Sequence, residues 1–425
     1  MLRMKRMALT LVLGLLVAVC CHPGGTVDEE SPVQEEQDKA MQADMLSTVS
    51  SSNTQFALDL YKLLVLTKPE ENVIFSPVSI STSVALLGLG ARGTTLAEIV
   101  KGLKFSPTES RMADIHRGFQ HLVRTLNQPR EQLQLSTGNA MFIQEQLEVL
   151  ASFLDDARAL YAAQVVLTDF EQPAAAEQLI NDFVSNETYG KIVDLISNLD
   201  QDTALILVNY IFLKAKWETP FDPEDTFESR FYLNKSRSVQ VPMMKVEDLT
   251  VPYLRDSVLS CTVVELKYLG NASALLILPD RGKMQKVEAK LLPETLARWR
   301  NNLKPRFIDE LYLPKFSISG NYELQSLLPQ MGIREAFSTQ SDLSGITTSH
   351  QLKVTQVVHR ALLDVAENGT EAAAATGMKM IPMSATLNPT IIRFDRPFLM
   401  NIYDTNSDSI LFLGKVVNPS QSQSS

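Results

Sequence analysis

The segment Glu367-Asn-Gly-Thr-Glu-Ala-Ala-Ala-Ala-Thr376, followed by Gly377-Met-Lys-Met-Ile-Pro-Met-Ser384, is the most unusual stretch of the sequence. Four successive alanines favour a helix, yet a glycine lies just before them and another just after. As a strand, the segment would alternate its side chains between two faces. One face would be small and uncharged and the other would carry the only charge: Thr370, Ala372, Ala374 and Thr376 against Glu371, Ala373, Ala375 and Gly377. Because the small face can enter between packed neighbours with little overpacking, we interpret the segment as able to join a sheet without having to.

The surrounding chain predicts a mixture of helices and strands. Helical spacing of apolar residues begins behind a capping Asn53 or Thr54. Further predicted elements are helices at 78–89, 150–163 and 174–184, strands at 204–214, 261–266, 274–278 and 311–318, and a terminal hairpin of 398–403 with 410–416. We find no repeat and no Gly/Ser-rich linker between Asn53 and Pro419. This pattern predicts one large α+β domain over residues 49–419, with a short tail at 420–425.

Composition excludes several classes of protein. The chain has 425 residues, of which 45% are hydrophobic and 21% charged, an ordinary balance for a folded protein. A formal charge of −10 argues against a dedicated nucleic-acid binder.

The N-terminus has the three-part pattern of a cleaved secretory signal. Arg3, Lys5 and Arg6 precede an apolar run that ends in small residues near Cys21. A buried N-terminal helix is the alternative interpretation. We expect removal of residues 1–21, an acidic flexible tail at 22–48, and secretion. No later run is long enough to span a membrane, so we expect no membrane partner.

Secretion bears on the cysteines and on glycosylation. Removal of the signal would leave Cys261 alone, either as a reactive thiol or as a small buried hydrophobe in its strand, and we favour burial. Four Asn-x-Ser/Thr sequons are present. We expect glycans at Asn186, Asn234 and Asn271, and none at Asn368, where a sugar would obstruct the adjacent segment.

The sequence contains no motif that indicates catalysis by the protein itself. Gly88-Leu-Gly90-Ala-Arg-Gly93 matches a dinucleotide fingerprint by letter, but the preceding residues read as a helix and not as a strand. The five histidines have no metal-ligand spacing, and no Walker, H-E-x-x-H or G-x-S-x-G motif is present. We therefore expect no enzyme, no cofactor and no metal, although spacing alone leaves a scattered catalytic triad open.

The sequence resembles the serpins over nearly the whole chain from Asn53 to Pro419. The resemblance rests on several stretches: Asn72-Val-Ile-Phe-Ser-Pro-Val-Ser-Ile-Ser81, Leu207-Val-Asn-Tyr-Ile-Phe212, Lys214-Ala-Lys-Trp217, Leu311-Tyr-Leu-Pro-Lys-Phe-Ser317, Asp342-Leu-Ser-Gly-Ile346, the alanine-rich segment and Phe394-Asp-Arg-Pro-Phe398. Within the family it is most similar to the antichymotrypsin-like plasma (clade A) members. The resemblance implies a serpin fold with three β-sheets, eight or nine helices and an exposed reactive loop at about 367–392.

The resemblance also implies a mechanism and its residues. A serine protease would cleave Met383-Ser384, and the hinge would then insert into the main sheet and trap the acyl-enzyme. The implied hinge comprises Glu367, Gly369, Thr370, Glu371, Ala372, Ala373, Ala374, Ala375 and Thr376, and the implied sheet-opening cluster comprises Ser76, Ser79, Asn209, His359 and Trp217.

An uncharged Met383 suits the specificity pockets of chymotrypsin-like and elastase-like proteases, which are the expected partners. We expect the protein itself to be a monomer. Lys235 and Arg237 stand where some relatives carry a denser basic cluster, but we predict no binding to DNA. The alternative function is a non-inhibitory serpin that carries a hormone or other small ligand. Such members tend to replace the small hinge residues, which this chain keeps.

Overall fold

The computed structural model describes residues 32–106, 111–348, 352–369 and 388–421. Its eight α-helices agree with the predicted number and span α1 Pro32–Thr67, α2 Pro77–Gly90, α3 Gly93–Gly102, α4 Met112–Leu126, α5 Ala151–Tyr161, α6 Pro173–Glu187, α7 Met284–Ala289 and α8 Pro293–Asn302. Four short 3-10 helices lie at Pro223–Asp225, Leu324–Ser326, Leu328–Met331 and Glu335–Phe337. Contacts group residues up to Met41 as one compact unit and Gln42–Ser425 as another, and every site below lies in the second.

Fourteen strands complete the described fold. They are β1 Val73–Phe75, β2 Leu133–Gln144, β3 Gln164–Thr168, β4 Leu205–Ala215, β5 Phe227–Tyr232, β6 Ser238–Asp256, β7 Cys261–Tyr268, β8 Ala272–Pro279, β9 Lys304–Pro314, β10 Phe316–Glu323, β11 Gln356–Val365, β12 Ile391–Arg393, β13 Phe398–Asp404 and β14 Ser409–Val416. Helices and strands share one large core, so the predicted α+β class is confirmed.

The strands form two sheets where three were expected. A five-stranded sheet has the order β10-β11-β4-β2-β3, and a nine-stranded sheet has the order β1-β14-β13-β8-β7-β6-β9-β12 with β5 paired to β6. The difference arises from β6, which is 19 residues long. Its first part pairs with β5, its last part pairs with β7, and β9 runs alongside most of it. This continuous hydrogen bonding joins what would otherwise be two sheets.

The central pair of the five-stranded sheet is parallel. Strand β11 pairs with β4 from Gln356↔Ile206 to Leu362↔Phe212, whereas β10 and β2 lie antiparallel on the outer sides. Most of β4 is fully buried, as its unbroken apolar sequence predicts. One face of the sheet lies against α6, where Ile180 and Val184 join a separate apolar cluster with residues of β2, β4 and β11.

Local sequence explains the helix that lies behind this sheet. Ser76 caps α2, because its side chain accepts a hydrogen bond from the Ser79 amide at 3.3 Å, and Pro77 occupies the first turn. Nearly every side chain of α2 is buried. The letter match to a dinucleotide motif falls where α2 ends and α3 begins, which confirms that it lacks the required strand.

Two sequence predictions were wrong at element boundaries. Helix α1 begins at Pro32, far ahead of the predicted start near Asn53, and its contacts with the core begin before Asn53, because Leu46 and Val49 pack there. The strand predicted at 311–318 is two strands that break at Lys315. Among the described residues, no helix combines the length and the apolar character needed to cross a bilayer.

Candidate functional site

The hinge begins where β11 ends. The last register pair of β11 with β4 is Leu362↔Phe212, although β11 continues to Val365 and β4 continues to Ala215. The chain then makes a tight turn, in which the Ala366 amide donates to the Gly369 carbonyl at 2.7 Å and the Gly369 amide donates back at 3.0 Å. The turn places Gly369 beside Lys216, just past the end of β4.

Glu367 fixes the base of this turn. Its carboxylate accepts a hydrogen bond from the Thr226 hydroxyl at 3.0 Å and pairs with the Lys315 ammonium at 2.9 Å. Its carbonyl accepts from the Phe221 amide at 2.8 Å. Burial alone would raise the pKa of Glu367, but the hydrogen bonds from Lys315 and Thr226 outweigh it and lower the pKa. The carboxylate therefore stays charged and ties the hinge to the neighbouring strands.

Gly369 can be replaced by no other residue without movement of its surroundings. Its φ of +125° lies in a region that L side chains rarely adopt, and an added Cβ would lie 2.0 Å from the Ala215 carbonyl oxygen. Gly369 also forms an isolated bridge with Lys216, next to the end of β4. The glycine thus allows the hinge backbone to approach β4 closely.

Trp217 lies at the hinge and not with the other proposed cluster members. Its indole N–H donates to the Ala366 carbonyl at 3.0 Å, and its amide donates to the Asn368 carbonyl at 3.0 Å. The ring stacks on Tyr268 with centroids 4.0 Å apart. Trp217 therefore supports the turn from below and links it to the nine-stranded sheet.

Ser76, Ser79, Asn209 and His359 do lie together, between α2 and the β11–β4 pair. His359 and Asn209 are register partners across that pair. The His359 Nε2 accepts from the Ser76 amide at 3.0 Å, so its Nδ1 must carry the proton that contacts Asn209 Oδ1 at 2.5 Å. The Ser79 hydroxyl also donates to Asn209 Oδ1, at 3.3 Å. Separation of β11 from β4 must break the contact between His359 and Asn209.

The cluster is closed to water. His359 and Asn209 have no exposed surface, and the Tyr322 ring lies parallel to the imidazole with centroids 6.3 Å apart. Burial lowers the pKa of His359 to about 3, so the ring is neutral at physiological pH. This cluster therefore links β11 and β4 through hydrogen bonds between neutral side chains.

Three residues at the site were not assigned from the sequence. Lys315 and Thr226 hold Glu367 from distant parts of the chain, and Tyr322 covers His359. Lys315 falls inside a stretch that carried the family resemblance, but a single sequence contains no signal that pairs it with Glu367. The break between β9 and β10 at Lys315 was the missed local feature.

Several predicted site residues lie outside the described residues. These are the reactive bond Met383-Ser384 and the hinge positions Thr370, Glu371, Ala372, Ala373, Ala374, Ala375 and Thr376. The predicted signal and residues 22–31 of the predicted acidic tail also lie outside them, whereas residues 32–48 of that tail form the start of α1.

The sequons differ in exposure. Asn186, Asn234 and Asn271 are exposed, whereas Asn368 has only 7% of its surface exposed and belongs to the hinge turn. Cys261 is fully buried, and burial raises the pKa of its thiol to about 12. The predicted burial of Cys261 is confirmed, and its thiol is held in the unreactive protonated form.

Comparison with known proteins places these features in a family. The family model described as Serpin (serine protease inhibitor) matches residues 51–419. The chain is 58% identical to alpha-1-antichymotrypsin of Homo sapiens over 424 residues, which cover 98% of this chain and 100% of that protein. It is also 53% identical to serine proteinase inhibitor 2.4 of Apodemus sylvaticus over 406 residues, which cover 96% of this chain and 97% of that protein.

Solved structures agree with this assignment. Human thyroxine-binding globulin superposes with a TM-score of 0.84 at 44% identity, covering 89% of this chain and 100% of that one. Human glycosylated kallistatin superposes with a TM-score of 0.83 at 44% identity, covering 89% and 99%. From the matched family model, the near-complete relatives and the shared fold, the chain belongs to the serpin family.

Proposed function

We propose that the protein is a secreted suicide inhibitor of chymotrypsin-like and elastase-like serine proteases. The observation that carries the proposal is the parallel β11–β4 pair, whose pairing ends at Leu362 and Phe212, beside a hinge turn in which Gly369 bridges Lys216. A chain that returns from Gly369 between these strands would run antiparallel to both. Strand addition of this kind is the recognised mode of serpin loop insertion.

The proposed reaction starts as ordinary proteolysis. The protease serine attacks the Met383 carbonyl, the Ser384 amine leaves with a proton, and the Met383 acyl group becomes esterified to the serine. Cleavage frees the hinge, and residues 369–383 insert as a strand. At about 3.3 Å per residue, these 15 residues span roughly 50 Å. A protease drawn over such a distance is distorted before water can release it.

The free energy for this movement comes from the sheet. One parallel pair becomes two antiparallel pairs, and each adds backbone hydrogen bonds. The hydrogen bond between His359 and Asn209 must break before the strands separate. This barrier makes the starting fold persist kinetically. Thr370, Ala372, Ala374 and Thr376 would face the sheet interior, where their small size limits overpacking.

Met383 determines the proposed target range. Its long, unbranched and uncharged side chain suits an apolar specificity pocket. A trypsin-like pocket would keep an unpaired carboxylate, so proteases of that type should be poor targets. The preceding Ile381-Pro382 resembles the antitrypsin branch of the family and extends the proposed range toward elastases.

The proposal includes processing and modification. Residues 1–21 would be removed on secretion, and one folded domain would span residues 49–419. Glycans would occupy Asn186, Asn234 and Asn271, which are exposed. Burial of Asn368 in the hinge turn supports the proposal that its sequon is left unoccupied.

A carrier function is the second candidate, and one feature favours it. A cleft of about 810 Å³ lies beside α1 and α7, with Tyr61, Leu233, Met284 and Lys415 among its lining residues. One solved structure similar to this chain is described as thyroxine-binding globulin complexed with thyroxine. Inhibition remains the better-supported function, because the small residues of the hinge are retained in this chain.

One experiment separates the two. The protein is mixed with chymotrypsin or neutrophil elastase and analysed on a denaturing gel. Inhibition predicts a stable band near the sum of the two masses and a shorter fragment from cleavage at Met383-Ser384. Cleavage without a stable complex would refute the inhibitor proposal and favour a carrier or substrate.

A further inference from the structure

An aromatic and charged cluster lies where the chain returns to the fold after the proposed reactive bond. Its centre is Tyr312 in β9, and around it lie Phe227, Lys245, Ile391 and Arg393. We call these five residues the Tyr312 patch. The Arg393 guanidinium lies 3.9 Å from the Tyr312 ring centroid, the Lys245 ammonium 5.8 Å, and the Phe227 ring meets it edge-on with centroids 6.0 Å apart.

The sheet register places these side chains on one face. Lys245, Tyr312 and Arg393 are consecutive cross-strand partners through β6, β9 and β12. Ile391 lies two residues before Arg393 and therefore shares its face. Phe227 is 42% exposed and Ile391 is 50% exposed. Two exposed apolar side chains thus flank the half-buried Arg393.

The two cations of this surface, Lys245 and Arg393, differ in their ion pairs. Lys245 pairs with Glu247, and also with Glu310 at 3.5 Å. Arg393 forms no ion pair with any of the described residues and has only the Tyr312 ring beneath it. A partner that covers this face would therefore meet an arginine that lacks a carboxylate.

The loop end beside the patch is anchored. The Thr390 amide donates to the Asp309 carboxylate at 2.6 Å, and the Thr390 carbonyl accepts from the Asp309 amide at 3.1 Å. Thr390 follows Ser384 by six positions, which allows at most about 21 Å of extended chain between them. A protease of about 230 residues has a radius of gyration of about 17 Å. A protease seated on the reactive bond is therefore large enough to contact the patch.

We propose that the Tyr312 patch is a second docking surface for the target protease, used in the first encounter before cleavage. Arg393 meets a carboxylate on the protease, and Phe227 and Ile391 provide apolar contact on either side. The inference rests on the proposed inhibitory function and adds a recognition surface outside the reactive bond. Charges at the rim of an interface act mainly on the association rate and its salt dependence.

The test measures the second-order rate of inhibition of chymotrypsin and of neutrophil elastase at low and high salt. Arg393→Ala should lower the rate by up to about 5-fold at low salt, and Arg393→Glu should lower it further, because exposed ion pairs contribute about 0.2–1 kcal/mol and a reversed charge repels. Ile391→Ser should lower the rate at both salt concentrations. The matched control is Arg230→Ala, since Arg230 is an exposed arginine on the alternate face of β5.

The possible results distinguish the docking surface from the proposed function. Equal rates for the unaltered protein and all patch variants, with normal covalent complexes, overturn the docking surface and leave the inhibitor proposal intact. A slower rate that persists at high salt for Arg393→Ala, or one with more inhibitor consumed per protease, also overturns it, because loop insertion would then be the altered step. Failure of the unaltered protein to form any complex overturns the proposed function and this inference with it.

Discussion

Met383 concentrates the proposed specificity in one oxidisable side chain. Oxidation to the sulfoxide places a polar group in an apolar protease pocket. We expect inhibition of chymotrypsin to slow about 10-fold or more after mild oxidation, since burying an unpaired polar group costs about 1–3 kcal/mol. The rate of inhibition is measured before and after oxidation.

Met383→Leu is the matched control for this experiment. It keeps an apolar side chain of similar size and should inhibit well, but its rate should no longer respond to oxidant. An equal loss of rate in Met383→Leu would show that another methionine is responsible.

His359 makes the closed sheet sensitive to acid. The pKa of His359 is about 3 in the folded chain, against an ordinary value of 6.5, because the ring is buried. The unfolded chain therefore binds the proton first, and stability that is complete above pH 6.5 declines as the pH falls toward 3. The slope contributed is at most about 1.4 kcal/mol per pH unit. Protonation would also place an N–H opposite the Ser76 amide donor, which breaks the hydrogen bond between His359 and Ser76.

The measurement is the unfolding temperature from pH 7.5 to pH 4.5 for the unaltered protein and for His359→Gln. The variant should start lower and fall less steeply with decreasing pH. His116 has a pKa lowered to about 4 by burial and contributes a slope of the same sign, so the difference between the two proteins is the informative quantity. Parallel curves would contradict a role for His359 in the acid response.

At the scale of elements, the turn between β11 and the inserting segment is restrained by one carboxylate. Glu367→Lys would place a second ammonium against Lys315 and remove the acceptor of the Thr226 hydroxyl. Hydrogen bonds to charged groups contribute about 1.5–3 kcal/mol. We expect the unfolding temperature to fall by a few degrees and inactive oligomers to accumulate on warming, as measured by size-exclusion chromatography.

The control for this change is Glu367→Gln. It keeps the size of the side chain and an acceptor for Thr226 but loses the ion pair, so its effect should be intermediate. If Glu367→Lys were as stable and as monomeric as the unaltered protein, the restraint assigned to this carboxylate would be wrong.

The segment proposed to insert requires small, uncharged side chains on the face that enters the sheet. Thr370→Arg would require a charge to enter the interior of the sheet, where an unpaired charge is costly. Insertion should slow while cleavage continues, so several molecules of inhibitor should be consumed for each protease trapped. Glu371→Arg changes the predicted outward face and should leave this ratio near its original value. Equal ratios for the two variants would contradict the predicted alternation.

The elements also show what sequence reasoning can reach. Unbroken apolar strands such as β4 and β8 were located to within a few residues, since their pattern is local. Ser76, Ser79, Asn209 and His359, which the family resemblance grouped, contact one another in the structure, and their role in sheet opening stays a prediction. Trp217 was grouped with them, but it stands eight residues beyond Asn209 and contacts the hinge. Lys315 and Thr226 were missed because their contact with Glu367 depends on tertiary packing that no local pattern encodes.

At the scale of the whole molecule, the described residues are stabilised by packing, with no disulfide among them. The described cysteine is free, and the apolar core extends through both sheets and most helices. Within that core, the central β11–β4 pair of the five-stranded sheet is parallel. We propose that a more favourable arrangement of the sheet exists, which the intact protein reaches only after cleavage.

This view predicts that cleavage stabilises the protein. Limited proteolysis at Met383-Ser384 by a non-target protease should raise the unfolding temperature by tens of degrees, because residues 369–383 become a sixth strand with hydrogen bonds on both sides. Differential scanning calorimetry of the intact and cleaved chains gives the measurement. Thr370→Arg, cleaved at the same bond, is the control and should gain much less. An ordinary inhibitor or carrier, whose cut loop stays outside the sheet, would unfold at the same temperature or lower, so an unchanged transition in the cleaved unaltered protein would contradict insertion itself.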